Sequence, residues 1–416
     1  MKPSSATLSL LIVMVVVTAC GVASPPAAID TETPPATRTP TALPSPTLTS
    51  TPEALPEASA TEPLPLAALP VCRQGSGTKL EDLTIAVAAK WDGDDEIYLI
   101  QADGSNRVQI TFNESRDIEP VWSPEGSQLA YVVNADTEPR LYVSGLDFLE
   151  GKILAGEIDA KPGHAALVWS PKGDRLAFKN SEDLFLVDVE SGETFNLTRA
   201  VSLFPRELTF SPDGTIIAFT AGRPAVSGRF RLYRINVDGT GLKELIFSVE
   251  PVFWPDWHPQ GDKILIEGIV PGESVGLYVA SPDGTLEQLP MQAGSTNSLT
   301  AAWSPDGSMV GYVVGFVAVN SDGKRLSRNS IYVATAEGDL DLELVRPPAN
   351  PDVRLSIHDL VWAPDGRHIA YTTMRGKGND VGAGQDLFVL DICDGRSTLV
   401  VEQIDFYSAP SWRPTP

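Results

Sequence analysis

From about Leu83 onward the chain alternates short apolar runs with polar, Gly- and Pro-containing breaks. Runs such as Leu129-Ala-Tyr-Val-Val, Leu176-Ala-Phe and Ile369-Ala-Tyr are each followed by a second run. Examples of the second run are Leu141-Tyr-Val, Leu184-Phe-Leu-Val, Leu232-Tyr-Arg-Ile, Leu277-Tyr-Val, Ile331-Tyr-Val and Leu387-Phe-Val-Leu. Runs this short, rich in β-branched and aromatic residues and bounded by turn formers, predict strands rather than helices. Ahead of these pairs stands a recurring motif: Trp122-Ser-Pro-Glu-Gly, Trp169-Ser-Pro-Lys-Gly, Phe210-Ser-Pro-Asp-Gly, Trp257-His-Pro-Gln-Gly, Trp303-Ser-Pro-Asp-Gly, Trp362-Ala-Pro-Asp-Gly and a final Trp412-Arg-Pro. The spacings are 47, 41, 47, 46, 59 and 50 residues, which suits one propeller blade per repeat.

The motif chemistry fits a four-stranded blade. The aromatic fills the wedge between neighbouring sheets, Pro closes the inner strand where its missing N–H is tolerated, and Asp-Gly makes the turn into the next strand. Six of the eight tryptophans occupy this one position, which marks them as packing residues. The chain ends complement each other. Leu83-Thr-Ile-Ala-Val, Ile97-Tyr-Leu-Ile and Val108-Gln-Ile-Thr lack an inner strand, and Tyr407 to Trp412 is an inner strand with nothing after it. Pairing the two predicts an all-β, seven-bladed β-propeller whose composite last blade removes an exposed sheet edge.

The first residues read differently. Lys2, the apolar run Leu8 to Val17 and the small residues before Cys20 form a secretory signal too short to span a bilayer. Val17-Thr18-Ala19-Cys20 resembles the bacterial lipobox, which implies cleavage before Cys20 and lipidation of its thiol; two acyl chains would anchor stably. From Gly21 to Val71 the chain holds 12 prolines and nine threonines and no aromatic residue. Such a segment buries too little to order itself and is expected to be a tether reaching on the order of 150 Å. The expected organisation is therefore a signal peptide over 1–19, the lipidated cysteine and Pro/Thr-rich linker over 20–71, and the propeller over 72–416.

The pattern Trp-Ser-Pro-Asp-Gly-x-x-Ile-Ala-Phe, with Glu96-Ile-Tyr-Leu-Ile-Gln-Ala-Asp-Gly-Ser-Asn, resembles the WD40-like repeat of TolB-type β-propellers, over about Leu83 to Pro416. TolB carries an additional N-terminal α/β domain where this chain has a tether. The same repeats precede serine peptidases of the prolyl oligopeptidase type, but no hydrolase domain is expected here.

Charge and candidate chemistry narrow the function. A formal charge of -23 argues against general electrostatic capture of nucleic acid. Three cysteines and four histidines leave little for a metal site, and no cofactor is expected. His258 stands in the Trp-His-Pro turn and His368 starts a strand, so both read as structural. His164 and His358 precede inner strands of distant blades. Pectic oligosaccharide lyases on TolB-like propellers hold a metal with a histidine cluster, and no comparable cluster is visible. Asp92-Gly-Asp-Asp-Glu96 could suggest calcium but lacks the later Glu, and reads as a hairpin loop. Gly376-Lys-Gly-Asn-Asp and Gly382-Ala-Gly lie between strands rather than before a helix, so they read as a loop.

Cys72 and Cys393 are expected to form a disulfide bracing the ring closure. The loops after the second and fourth strands share one rim, which carries Arg223, Arg229, Lys324, Arg325, Arg328, Arg375 and Lys377 as candidate binding residues. The expectation is a monomeric, non-catalytic binding or scaffolding propeller, anchored outside the cytoplasm through Cys20, with a protein or anionic glycan partner and no nucleic acid. The alternative is a carbohydrate-active or hydrolytic enzyme with its site at the channel mouth.

Overall fold

The computed structural model describes residues 66–73 and 78–416, apart from 92, 134–138, 146–150, 157, 159–166, 200, 202, 224–225, 246–247, 271–274, 291–296, 320–322, 324, 347–353, 377–384, 406–408 and 415–416. All of these belong to the compact unit Thr37–Pro416. The signal peptide, Cys20, most of the tether, Asp92, His164, Lys324 and Lys377 lie outside the described residues.

The strands follow the repeat. β1 (Thr84–Ala89), β2 (Glu96–Gln101) and β3 (Val108–Gln109) come first. β4 (Ile118–Trp122), β5 (Gln128–Val133), β6 (Arg140–Gly145) and β7 (Gly151–Gly156) form the first four-stranded sheet. β8 (Leu167–Trp169), β9 (Arg175–Lys179), β10 (Leu184–Asp188) and β11 (Thr194–Asn196) form the second. The third holds β12 (Phe204–Phe210), β13 (Ile216–Arg223), β14 (Val226–Asn236) and β15 (Lys243–Leu245). The fourth holds β16 (Val252–Trp257), β17 (Ile264–Ile269), β18 (Val275–Ala280) and β19 (Leu286–Gln288). The fifth holds β20 (Asn297–Trp303), β21 (Met309–Val319), β22 (Arg325–Thr335) and β23 (Asp341–Val345). An eight-stranded sheet joins β24 (Arg354–Trp362), β25 (His368–Gly376), β26 (Gln385–Asp391) and β27 (Arg396–Ile404) to β1, β2, β3 and β28 (Ser411–Trp412). All the pairings are antiparallel meanders, the topology of a propeller.

The motif residues act as local locks. Ser123, Ser170, Ser211 and Ser304 each accept, through Oγ, the backbone N–H of the first residue of the next strand, at 3.0 or 3.1 Å. Asp213 accepts from the Ser211 hydroxyl at 2.6 Å and from the Thr215 N–H at 3.0 Å, and these bonds hold its carboxyl below the ordinary range. In the sixth motif Ala363 has no hydroxyl, and His368 Nδ1 lies 2.7 Å from Asp365 Oδ2 instead. His258 replaces serine in the fourth motif; its Nε2 lies 3.2 Å from the Gly307 carbonyl of the next sheet and its ring meets Trp303 edge-on. Gly307 has φ +73°, and any Cβ there would strike that imidazole, so glycine is required twice over.

The tryptophans do more than fill the wedge. Trp169 Nε1 donates to Val121 O at 3.0 Å, Trp362 Nε1 to Ala302 O at 3.1 Å, and Trp412 Nε1 to Val361 O at 3.0 Å. In each case the acceptor is the residue just before the aromatic of the preceding unit. Where that residue is polar the bond changes. Ser411 Oγ takes the backbone N–H of Trp122 at 3.2 Å and Asp256 Oδ2 that of Trp303 at 2.8 Å. The indole nitrogens of Trp122 and Trp303 then have no hydrogen-bond partner among the described residues.

A second repeated device is a cross-strand aromatic pair. Tyr131/Tyr142, Phe178/Phe185, Phe219/Tyr233, Tyr312/Tyr332 and Tyr371/Phe388 sit directly opposite on the second and third strands of their sheets. Their rings stack with centroids 5.2 to 6.0 Å apart. Such pairs add stability beyond the area they bury. Inner strands β4, β12, β16, β20 and β24 each carry a bulge two to four residues before the aromatic. In β12 and β24 the bulge places Glu207 and Asp359 against the hydroxyls of Thr220 and Thr372 on the neighbouring strand.

The chain ends meet. Ile85 pairs with Trp412 and Ala86 with Ser411, and Arg413 N–H donates to Thr84 O at 2.9 Å. Cys72 and Cys393 are disulfide-bonded, with Cα atoms 5.3 Å apart. Packing against the sheets begins before Cys72. The 3-10 turns Leu66–Ala68 and Val71–Arg73 dock Leu66, Leu69 and Val71 against a core that includes Trp362, Phe388 and Ile392, and Leu69 is fully buried.

Candidate binding rim

In a meander the connections after the second and fourth strands of each sheet emerge on one rim. On this rim β12 starts at Phe204, which is 41% exposed, and Val201 just before it is also exposed. Phe204 pairs with Gly222 in β13, and Gly222 lets the Phe230 ring lie close: a Cβ there would meet it at 3.3 Å. The Arg206 guanidinium sits 4.5 Å from the centroid of Phe230, and Phe230 in turn packs on Phe253 of β16 at 5.7 Å. A half-exposed aromatic and cation stack thus bridges the third and fourth sheets.

Beside it runs an arginine–glutamate ladder. Arg223 Nη2 lies 2.8 Å from Glu244 Oε2, and Arg231 Nη1 lies 2.6 Å from Glu244 Oε1. Arg231 Nη2 is 2.6 Å from Glu250 Oε1, and Arg229 Nη1 is 3.5 Å from Glu250 Oε2. Tyr233 Oη donates to Glu244 at 3.1 Å and accepts from Arg223 Nε at 3.2 Å. That tyrosine bond raises the Arg223 pKa, and the Glu244 bond raises that of Arg231, so both cations are held charged. Three arginines share two glutamates. Of the candidate rim cations, Arg223 and Arg229 thus belong to a largely compensated network, whose exposed pairs contribute little stability each.

The other candidates are scattered. Arg328 is buried, 8% exposed, and burial lowers its pKa. Arg325 and Arg375 lie within β22 and β25 by backbone. The residues that sequence reasoning missed are Phe204, Arg206, Phe230, Phe253, Glu244 and Glu250. An aromatic or acid outside the repeat motif was the available signal, but only the strand register unites them.

Two further polar regions are notable. Asp117, at the entry to β4, is fully buried beside Glu96; Asn113 donates to it at 2.6 Å, and Arg116 pairs with neighbouring Asp95 at 2.6 Å. Burial, reinforced by the Glu96 charge, pushes the Asp117 carboxyl up to about 8. A cavity of about 440 Å³ lies between the 3-10 turn Leu80–Asp82 and the eight-stranded sheet, lined by Lys79, Arg367, His368, Asp391 and Arg396 among others. Arg367 is committed to Asp391 through Nε at 2.9 Å and Nη2 at 2.6 Å. Among the described residues no group of three or more His, Cys, Asp and Glu side chains is arranged to hold a metal.

No family model matches the chain. It is 28% identical to a TolB homologue of Chlorobium luteolum over 145 residues, covering 33% of this chain and 31% of that protein. It is 31% identical over 136 residues to the Tol-Pal system protein TolB of Desulfosudis oleivorans, covering 31% of this chain and 30% of that protein. The chain thus spans about a third of the length of these curated relatives. Among solved structures, the oligogalacturonate lyase of Vibrio parahaemolyticus superposes with a TM-score of 0.53 at 15% identity, covering 79% of this chain and 87% of the lyase, a likeness of fold alone. The repeats, the meandering sheets and these relatives together make the chain similar to TolB-type β-propellers.

Proposed function

We propose that this protein is a non-catalytic binding or scaffolding propeller, held outside the cytoplasm by lipidated Cys20 and a Pro/Thr-rich tether, that captures a partner protein on the rim around Phe204. Reading the eight-stranded sheet as two four-stranded units, one closed by β28, gives seven blades. The carrying observation is the rim itself: Phe204 and Val201 stand in water next to an arginine-on-phenylalanine stack and a Tyr–Arg–Glu ladder. Exposed aromatics interleaved with arginine are the composition of protein interfaces rather than of ordinary loops. Two relatives named TolB, one of them a Tol-Pal system protein, support an envelope location.

The test is in-cell crosslinking and co-purification with the full chain, alongside Val201→Ser and Phe204→Ser. Both substitutions remove exposed side chains, so the melting temperature stays unchanged while capture of the wild-type partner falls by about tenfold or more. Capture that is equal for wild type and variants rejects the rim as the binding face. Metabolic labelling with a fatty acid, lost in Cys20→Ser, tests the anchor.

A further inference from the structure

The closing seam of the ring is held at one end of β27 and open at the other. β27 meets β1 where both strands finish, Ile404 pairing with Ala89. At the start of β27 the cavity of about 440 Å³ opens between Arg396 and Thr398 on one side and Thr78, Lys79 and Leu80, which lead into β1, on the other. Its walls follow from the register. His368, Asp391 and Arg396 lie directly opposite one another on β25, β26 and β27, and Ala370, Val389 and Thr398 form the next row on the same face. Ala370 and Val389 are buried, and Leu80 packs against their cluster. The cavity thus has an apolar floor below a charged row.

That row has donors to spare. Arg367 gives Nε and Nη2 to Asp391, and the Cys393 N–H donates to the same carboxylate at 2.8 Å, so the acid is satisfied and the guanidinium is fixed in place. Arg396 has 85% of its side chain exposed, and its Nε lies 3.9 Å from Asp394 Oδ2, beyond hydrogen-bond reach. Asp394 accepts the Arg396 backbone N–H at 2.8 Å. Lys79 pairs with Glu81 at 3.0 Å, both side chains being mostly exposed, and such a pair is weak enough to exchange for a ligand. His368 turns Nδ1 to Asp365, with Nε2 3.7 Å from Asp391. Three cations, Lys79, Arg367 and Arg396, therefore reach one cavity from three segments, against two acids, Asp391 and Asp394, on a chain of formal charge -23. A concave site with an apolar floor and a few convergent polar groups is what small molecules occupy, and this volume lies within their usual range.

We propose that this seam cavity binds a small organic oxyanion, a carboxylate or phosphate carried on a compact apolar body. The body rests on Leu80 and Val389, Arg396 and Lys79 receive the oxyanion, and Arg367, held by Asp391, adds charge at the entry to β25. Arginine offers paired donors that match a carboxylate or phosphate, and lysine a point charge beside them. A ligand there touches both sides of the seam, so its binding free energy adds to the stability of the closed ring. The site belongs to the turn rim, opposite Phe204, and stands or falls independently of partner capture there.

Isothermal titration of the full chain compares phenyl phosphate and benzoate with benzyl alcohol, which lacks the charge, and with inorganic phosphate, which lacks the body. Wild type binds about one equivalent of at least one of the two aromatic anions, more weakly as sodium chloride is added, and at tenfold over Kd melts about 2 °C higher. Arg396→Gln and Lys79→Gln alter exposed side chains, so both melt with the wild type when no ligand is present, and each weakens binding about tenfold. A preference for one anion identifies the head group. Absence of binding to either anion overturns the proposal, and so does equal affinity in wild type and both variants, which puts the anion elsewhere. Benzyl alcohol bound as tightly as phenyl phosphate removes the cations from the site, and inorganic phosphate bound as tightly reduces it to an adventitious ion only; either result overturns the assignment.

Discussion

Trp412 joins three parts of the structure, so its removal measures how far ring closure supports the whole domain. Its backbone pairs with Ile85 of β1, its indole donates to Val361 O of β24, and its neighbours Ser411 and Arg413 hold β4. Arg413 Nε donates to Gly126 O at 3.0 Å, and its guanidinium lies 5.2 Å over the Trp122 ring. Truncating a buried tryptophan to alanine costs about 3–5 kcal/mol. With an unfolding entropy of about 2.1 cal/mol/K per residue over roughly 340 residues, each kcal/mol shifts the melting temperature by about 1.4 °C. Trp412→Ala should therefore melt about 4–7 °C lower, with one cooperative transition for every probe. Trp412→Phe keeps most of the apolar contact and loses only the indole bond, about 1 kcal/mol, or 1–2 °C. Trp257→Phe is the control: the Trp257 indole nitrogen has no partner among the described residues, so losing it should cost less. Calorimetry decides. A Trp412→Ala melting point within 1 °C of wild type, or a separate early transition, would show that β28 is an appendage rather than the closing strand.

Replacing both Cys72 and Cys393 by serine opens a covalent loop with a sequence separation of 321, at a chain-entropy cost of up to about 5 kcal/mol. Non-reducing mass analysis of denatured wild type should show neither thiol alkylated, and the double variant should expose the Leu66–Arg73 turns to protease first. Asp117 supplies a pH signature. Its folded carboxyl titrates near 8 while the unfolded one ionises near 4, so the folded state binds the extra proton between these values and stability falls as pH rises from about 4 to 8. The slope is at most about 1.4 kcal/mol per pH unit, and Asp117→Asn should flatten it in urea titrations at several pH values. An unaltered slope would mean that Asp117 is ionised in the fold.

The repeat was legible because turn chemistry and wedge aromatics are local demands. Ser211, Asp213 and Gly214 act within a few residues of one another, so spacing alone reveals them. The interstrand bonds were not. Trp362 donates to a carbonyl 60 residues earlier, a partner that any residue type can offer and that therefore leaves no mark in sequence. The partners of the rim cations were hidden for a related reason. Counting Arg223 and Arg229 in their loop registers two cations, but the acids that pair with them, Glu244 and Glu250, come from β15 and beyond, and only the sheet register brings them together. The early start of packing at Leu66 left a trace in the spacing of Leu66, Leu69 and Val71, hidden by the prolines around them.

The two rims then differ for a physical reason. One is filled by the Ser-Pro-Asp-Gly turns, whose hydroxyl, carboxylate and left-handed glycine are all consumed in making the turn, as Ser304, Asp306 and Gly307 show by bonding one another and the next strand. Substitution there is limited by folding, whatever a partner would prefer. The opposite rim carries no such obligation. Its hairpins differ in length: β13–β14 and β21–β22 extend beyond the shorter pairs β9–β10 and β17–β18. The half-exposed stack of Arg206 on Phe230 lies beside one of these longer hairpins. A binding surface can vary there without disturbing the locks that hold the sheets together, so the repeat leaves this rim free to be specialised.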